Sequence, residues 1–122
     1  RVQPERIKGQ KHSFNSDVWS VGLTLAECAL GRFPFELKEV NIWEVLKQIE
    51  KNSVPTLLTE KEFSPEFRSF IGECMKYNPE ERQLASALLN HPFVTNQDKS
   101  GPSLGRWIHD NYVKKRKAMA AK

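Results

Sequence analysis

The segment 17–30 constrains the fold more than any other part of the chain, because its apolar residues occupy nearly every face of the predicted helix. Ser16 is placed to cap the start of this helix. Gly31 is expected to end it as a C-cap, and Pro34 prevents the helix from resuming. A helix that is apolar all round belongs in the centre of a core, without a broad solvent face. The sequence therefore predicts that Trp19 is nearly enclosed and that this helix is the most buried element.

The remaining segments carry narrower apolar stripes with helical spacing and no convincing strand pattern. Prolines and asparagines separate them, and Ser64 with Pro65 forms a typical helix start. The additional helices are predicted at about 39–52, 65–76, 84–90 and 103–122. The chain is therefore predicted to be all-α.

Length and composition fit one hydrophobic core, because 122 residues are too few for two ordinary domains. No apolar run approaches the roughly 20 residues that a membrane span needs. Cys28 and Cys74 lie in apolar segments and form neither a disulfide framework nor a zinc quartet, which favours a reducing compartment, the cytoplasm and also the nucleus. The polar start, without an initiator Met or a signal sequence, suggests that the chain begins inside a longer protein.

The net charge of +4 is concentrated in the last part of the chain. Residues 98–122 hold seven Lys and Arg against two Asp, whereas residues 1–97 are nearly neutral. The run Lys114 to Lys117 could meet nucleic acid, an acidic lipid surface or an acidic peptide, but most short basic runs are solvated helix ends. The basic run alone does not identify a partner.

The residue types that usually act in catalysis do not have the spacing of a catalytic site in this sequence. No GxGxxG or GxxxxGK pattern is present, so nothing is predicted to cradle a nucleotide. The histidines His12, His91 and His109 are far apart and have no ligand at metal spacing. Glu80 and Glu81 are adjacent carboxylates beside a proline, and exposure to solvent explains them better than a role in general acid–base catalysis. We therefore predict no catalytic, cofactor-binding or metal residue in this chain.

Five short strings resemble the large lobe of eukaryotic protein kinases, in order and at matching spacing. They are Pro4-Glu5-Arg6, Ser16 to Gly22, Gly31 to Phe35, Asn78 to Arg82 and Leu88 to Phe93. Together they cover about residues 2–94. The resemblance implies that the chain is the C-terminal part of the helical C-lobe of a two-lobed α+β kinase.

Within that family, the segment from Ser13 to Phe35 looks most like MAP kinase kinases, dual-specificity enzymes that phosphorylate MAP kinases. The resemblance divides the chain into lobe 1–94, linker 95–102, and a C-terminal helix with a basic tail, 103–122. That helix resembles the one with which MAP kinase kinases dock their upstream activating kinases. Its docking residues would be Leu104, Trp107, Ile108 and Tyr112. Alternatively, the same stripe simply packs on the lobe.

The resemblance also assigns roles to residues near the start of the chain. Val2 and Gln3 would line the strip that receives the substrate residue after the phosphoacceptor. Gln3 departs from the small Ala or Ser that the family has there, which changes the expected substrate side chain. Glu5 would form a buried ion pair with Arg82, tying the end of the activation segment to the lobe.

Two further positions take their roles from the same resemblance. Asp17, with Trp19 beside it, would anchor the backbone of the catalytic loop. Asn78 replaces the Asp that is usual in the turn before the conserved Arg.

In a kinase, the Gly-rich loop, the nucleotide-binding Lys and the catalytic and metal-binding residues lie upstream of the Pro-Glu motif. ATP and Mg²⁺ would therefore bind the intact kinase and not this piece, which should be inactive alone. Its uncovered apolar face would favour self-association. A pseudokinase or scaffold with the same lobe is the alternative. A nucleic-acid arm is disfavoured, because Trp107 and Tyr112 lie on the apolar face of their helix.

Overall fold

The structure, a computed structural model, describes residues 3–11, 13–35, 41–51, 58–59, 61–97, 101 and 103–121. The described residues are helical and include no strand, which confirms the predicted all-α class. The helices are α1 (Pro4–Ile7), α2 (Phe14–Leu30), α3 (Ile42–Lys51), α4 (Pro65–Cys74), α5 (Ala85–Leu88), α6 (Pro92–Thr95), α7 (Leu104–Ile108), a π-helical turn (His109–Val113) and α8 (Lys114–Ala120).

Helix α2 begins three residues before its predicted start. The residue that precedes it is Ser13, whose extended backbone makes it the N-cap, and the backbone N–H of Ser13 donates to Ser16 Oγ at 3.4 Å. Ser16 therefore lies inside the first turn and is not the cap that the sequence suggested. Gly31 ends the helix in the left-handed conformation with φ of 69°, as predicted.

The short helix α6 was not predicted, and Thr95, expected to open the linker, closes it. Pro92 occupies its first position, and the side chain of His91 caps it by accepting a hydrogen bond from the Phe93 N–H at Nδ1, 3.1 Å away. Because Nδ1 accepts, the neutral ring carries its proton on Nε2, which lies 3.1 Å from Ser69 Oγ. A capping histidine is an uncommon N-cap, which is why the sequence pattern missed this turn.

The core forms where α2 packs against α4 and α5. Trp19 is 1% exposed, as predicted, and belongs to the same hydrophobic cluster as the buried residues of α4 and α5. The most buried apolar residues of these helices are Val18, Trp19, Ala26, Phe70, Ile71, Cys74 and Leu88.

The prediction that α2 has no broad solvent face was wrong. Asp17, Val21, Thr24 and Cys28 are exposed, and their spacing puts them on one stripe. Among the described residues, α2 packs on α4 and α5, and this packing leaves the four side chains exposed. Val21, half exposed, therefore leaves apolar surface uncovered on a helix whose sequence is suited to complete burial.

Gly22 allows α2 and α4 to approach each other closely. A Cβ atom at this position would lie 2.6 Å from Cys74 Cβ and 2.7 Å from Met75 Cγ. The first of these atoms is attached directly to the backbone of α4, so the helix itself would have to move. A side chain at position 22 is therefore excluded by packing and not by backbone conformation.

We expect Gly22→Ala to lower the free energy of unfolding by about 1–3 kcal/mol, since overpacking outweighs the better helix propensity of alanine. Chemical denaturation of the variant measures this cost. Cys28→Ala, at an exposed position of the same helix, is the matched comparison and should change stability little. A stabilised Gly22→Ala protein would show that the two helices are not held this close.

The C-terminal helix is continuous, because α7, the π turn and α8 follow one another without a break. Only its regular α-helical hydrogen bonding is interrupted, by the π turn. The contacts among its three parts are those between successive turns of one helix. Asn111 Nδ2 donates to the Trp107 carbonyl at 2.9 Å and so satisfies one acceptor of the irregular turn. No helix in the described part of the chain is both long and apolar enough to cross a bilayer.

Candidate functional site

A buried ion pair joins α1 to the turn after α4. Arg82 Nη1 lies 2.9 Å from Glu5 Oε1, and Nη2 lies 3.0 Å from Oε2, so the contact is bidentate. The side chains of both residues are almost completely enclosed. Two parallel charge-assisted hydrogen bonds of this kind fix both distance and orientation. The pair therefore holds α1 in one position on the lobe.

The remaining N–H groups of Arg82 are also used. Nε donates to the Lys76 carbonyl at 2.8 Å, Nη1 to the Asn15 carbonyl at 2.7 Å and Nη2 to the Tyr77 carbonyl at 3.2 Å. With the two bonds to Glu5, all five donors of the guanidinium have acceptors. A lysine has three donors on one atom and cannot reproduce this fork.

The guanidinium carbon also lies 5.2 Å from the ring centroid of Trp19, within cation–π range. The ring closes one side of the ion pair against solvent. Trp19 therefore connects the core of α2 with the charge pair.

Ser16 supplies a third hydrogen bond to the carboxylate of Glu5. Its Oγ donates to Glu5 Oε1 at 2.6 Å. Burial alone would raise the pKa of Glu5, but the hydrogen bonds from Arg82 and Ser16 outweigh it and lower the pKa from 4.5 to about 2. The carboxylate is therefore ionised throughout the physiological range.

This lowered pKa predicts how stability depends on pH. A carboxylate whose pKa is lower in the folded state contributes fully above the unfolded value of 4.5, and that contribution is lost as the pH falls toward about 2. We expect Glu5 to account for about 3 kcal/mol of this acid destabilisation. Urea denaturation between pH 2 and 6 measures it. The Glu5→Gln variant should show a correspondingly smaller pH dependence, and an unchanged dependence would contradict the assignment.

The side chain of Gln3, the residue predicted to line the substrate strip, contacts α2. This side chain is turned inward and is only 2% exposed. Nε2 donates to the Ser16 carbonyl at 2.9 Å and to Ser20 Oγ at 2.7 Å. The long amide reaches α2, which the small residue expected here could not do. Gln3 therefore ties the segment before α1 to α2.

The orientation of the Gln3 amide follows from its partners. The Ser16 carbonyl can only accept, so the NH₂ group must face it and Oε1 points the other way. Ser20 Oγ also donates to the Ser16 carbonyl, at 3.2 Å, which closes a small ring of hydrogen bonds. Within the described structure, Gln3 Oε1 is buried without a hydrogen-bond partner.

The other residues predicted to have a role near the start of the chain are Val2, Asp17 and Trp19. Val2 lies outside the described residues. Asp17 is exposed in the first turn of α2, whereas Trp19 is buried behind it. Both stand on α2, so the helix that forms the core also sets the position of the predicted loop anchor.

The four predicted docking residues are exposed and lie close together on the C-terminal helix. Their exposed fractions are 70% for Leu104, 51% for Trp107, 43% for Ile108 and 64% for Tyr112. The rings of Trp107 and Tyr112 meet edge to face, with centroids 5.9 Å apart. In a regular α-helix, residues five apart point about 140° away from each other, so the π turn brings these rings together.

The described residues contain no group of three or more side chains suited to hold a metal ion. The cysteines are free, and burial together with the nearby Glu73 raises the pKa of Cys74 to about 12.

Sequence reasoning missed the contacts of Gln3 and Ser16. The only signal for them was that Gln3 is unusually large for its position.

Comparison with known proteins agrees with this geometry. The profile of the protein kinase domain matches residues 2–94. Mitogen-activated protein kinase kinase 3 of Arabidopsis thaliana is 39% identical over 107 residues, which is 88% of this chain and 20% of that protein. Mitogen-activated protein kinase kinase 2 of the same plant is 38% identical over 114 residues, 89% of this chain and 31% of that protein.

The likeness extends to animals. The dual specificity mitogen-activated protein kinase kinase dSOR1 of Drosophila melanogaster is 30% identical over 131 residues, which is 88% of this chain and 33% of that protein. The chain thus spans between a fifth and a third of the length of these curated relatives. With its helical architecture and its enclosed Glu5–Arg82 pair, the chain belongs to the protein kinase family, as part of the C-lobe, and its relatives there are MAP kinase kinases.

Proposed function

We propose that the intact protein is a MAP kinase kinase that transfers the γ-phosphate of ATP to Ser, Thr or Tyr side chains of a MAP kinase. This chain contributes the anchor of the activation segment, the central helix and a docking tail. The observation that carries the proposal is the saturated Arg82 guanidinium, which holds α1 in a single position. Rigid positioning of substrate is a large part of catalysis in phosphoryl transfer.

ATP and Mg²⁺ belong to the proposal for the intact enzyme only. Neither a phosphate-binding glycine pattern nor a metal-binding cluster is found in the described part of this chain. The 122 residues alone are expected to transfer no phosphate. We place the enzyme in the cytoplasm and the nucleus, where its substrate kinases would meet it.

A kinase assay on the full-length protein tests the proposal. We expect transfer of labelled phosphate from Mg·ATP to a MAP kinase carrying an inactivating mutation of its own. Arg82→Lys should reduce kcat/KM strongly, while Lys61→Met, an exposed control, should not. A folded protein that binds its MAP kinase but transfers no phosphate would instead be a pseudokinase or scaffold.

The tail supports a second part of the proposal, the docking of an upstream activating kinase. Trp and Tyr are the residue types that most often dominate interface energetics, and here both rings are exposed. The run from Lys114 to Lys117 forms the start of α8, directly after the π turn, and is exposed as well. The apolar residues would supply affinity, and the basic run would speed the encounter with an acidic surface.

We expect Trp107→Ala in the full-length kinase to weaken binding of the upstream kinase by about 2 kcal/mol, roughly thirtyfold. Because the side chain is half exposed, the melting temperature should change little. Neutralising Lys114 to Lys117 should mainly slow association and reduce its salt dependence. Surface plasmon resonance and thermal melting of each variant separate the two effects. Unchanged binding with a lowered melting temperature would show that the helix only packs on its own lobe.

A further inference from the structure

A polar cleft of about 290 Å³ lies between α1, the turn that follows it and the turn after α4. Its lining includes Glu5, Lys8, Gln10, Tyr77, Asn78 and Pro79. None of the functions described above uses this cleft.

Most of the acceptors of this cleft are already engaged. The carboxylate of Glu5 is held by Arg82 and Ser16, and Asn78 Oδ1 accepts from the Glu80 N–H at 3.1 Å. The main-chain carbonyls are used in the same way. Lys8 N donates to the Pro4 carbonyl, and Gln10 N donates to the Glu5 carbonyl. Arg82 Nη2 donates to the Tyr77 carbonyl, Glu81 N to the Asn78 carbonyl and Asn15 Nδ2 to the Pro79 carbonyl.

The side-chain donors of the cleft remain available. Lys8 Nζ lies 4.3 Å from the ring centroid of Tyr77, a cation–π contact that positions the ammonium without using its N–H groups as hydrogen-bond donors to oxygen. The side-chain NH₂ groups of Asn78 and Gln10 make no hydrogen bond to another described residue. The cleft therefore combines one positive charge and two side-chain amide donors with acceptors that are mostly occupied.

We propose that this cleft is a binding site for an oxyanion, a carboxylate or a phosphate group, with Lys8 supplying the charge and Asn78 and Gln10 supplying hydrogen bonds. Such groups accept several hydrogen bonds at once and favour charged donors. Pro79 and the Tyr77 ring offer apolar contact to the carbon atoms that carry the anion. The exposed carboxylates of Glu80 and Glu81 nearby make the binding weak and dependent on salt.

A titration of the ¹⁵N-labelled chain, followed by NMR, tests the site with three probes. They are N-acetyl-phosphoserine amide, N-acetyl-glutamate amide and inorganic phosphate. We expect saturable shifts of the backbone amides of residues 8–10 and 77–81. A stronger response to a peptide-like probe identifies a protein side chain as the natural occupant, and an equal response to inorganic phosphate identifies a free anion. Absence of saturable shifts in these two segments with all three probes would overturn the proposal.

Two variants test the assigned chemistry. Lys8→Met removes the charge from an exposed position, and Asn78→Asp adds a negative charge while keeping the oxygen that accepts from Glu80. Each should weaken binding at least tenfold without a large change in melting temperature. Lys61→Met, beyond the opposite end of α4, is the matched control and should bind normally. Equal affinity in all three variants, or shifts concentrated at residues 114–117, would refute a specific site.

Discussion

Replacing Arg82 with alanine is expected to lower the free energy of unfolding by about 3–5 kcal/mol, a large fraction of the stability of a small domain. The loss has two sources. The Glu5 carboxylate stays buried without its counter-ion, and the carbonyls of Asn15, Lys76 and Tyr77 each lose a donor. Chemical denaturation near pH 7, where Glu5 is ionised in the native protein, measures the effect.

Two further variants separate charge from geometry. Arg82→Lys keeps the charge but cannot satisfy five acceptors, so it should recover less than half of the lost stability. The double variant Glu5→Gln with Arg82→Met removes both charges and should be more stable than Arg82→Ala, because no charge is then buried alone. If Arg82→Ala costs less than about 1 kcal/mol, the pair is not enclosed as described.

Truncating Trp19 to alanine is expected to cost about 3–5 kcal/mol, since the ring is 1% exposed at the centre of the core. The substitution should also expose the ion pair, because the ring covers the Arg82 guanidinium. We therefore expect Trp19→Ala and Arg82→Ala to be non-additive, with the double variant losing less than the sum of the single losses.

Thermal and chemical denaturation of the four proteins in this cycle measure the coupling. Trp19→Phe keeps an aromatic ring and should lose less than Trp19→Ala. Leu84→Ala, a large apolar residue that is 59% exposed, is the surface comparison and should change stability little. Strict additivity of Trp19→Ala and Arg82→Ala would contradict a contact between the ring and the charge pair.

Much of the fold follows from local pattern. The left-handed Gly31, the pair Ser64 and Pro65 at the start of α4, and the enclosure of Trp19 were all predictable, because each depends on nearby residues or on the period of one helix. The exposed stripe of α2 was not predictable, since the sequence of a helix shows which faces are apolar but not which of them pack against another helix.

The candidate site was also predictable only in part. A resemblance of motifs named Glu5 and Arg82, but it did not indicate the contacts that the Gln3 side chain makes with α2. The inward turn of Gln3 depends on Ser16 and Ser20, which are distant in sequence and carry no pattern that pairs them with a glutamine. The sequence placed Trp107 and Tyr112 on one stripe, but it did not indicate the π turn that brings their rings together, because hydrophobic periodicity assumes a regular α-helix.

The hydrogen bonds between Glu5 and Arg82 join residues that are 77 positions apart, and this has a consequence for synthesis in the cell. At the usual rate of translation, about 4–15 s pass between the addition of the first residue and that of the second. During this interval the acidic side chain has been made but its partner has not, so α1 cannot reach its final position on the growing chain. The anchored state of this segment is thus a late event in biogenesis, set by the pace of the ribosome.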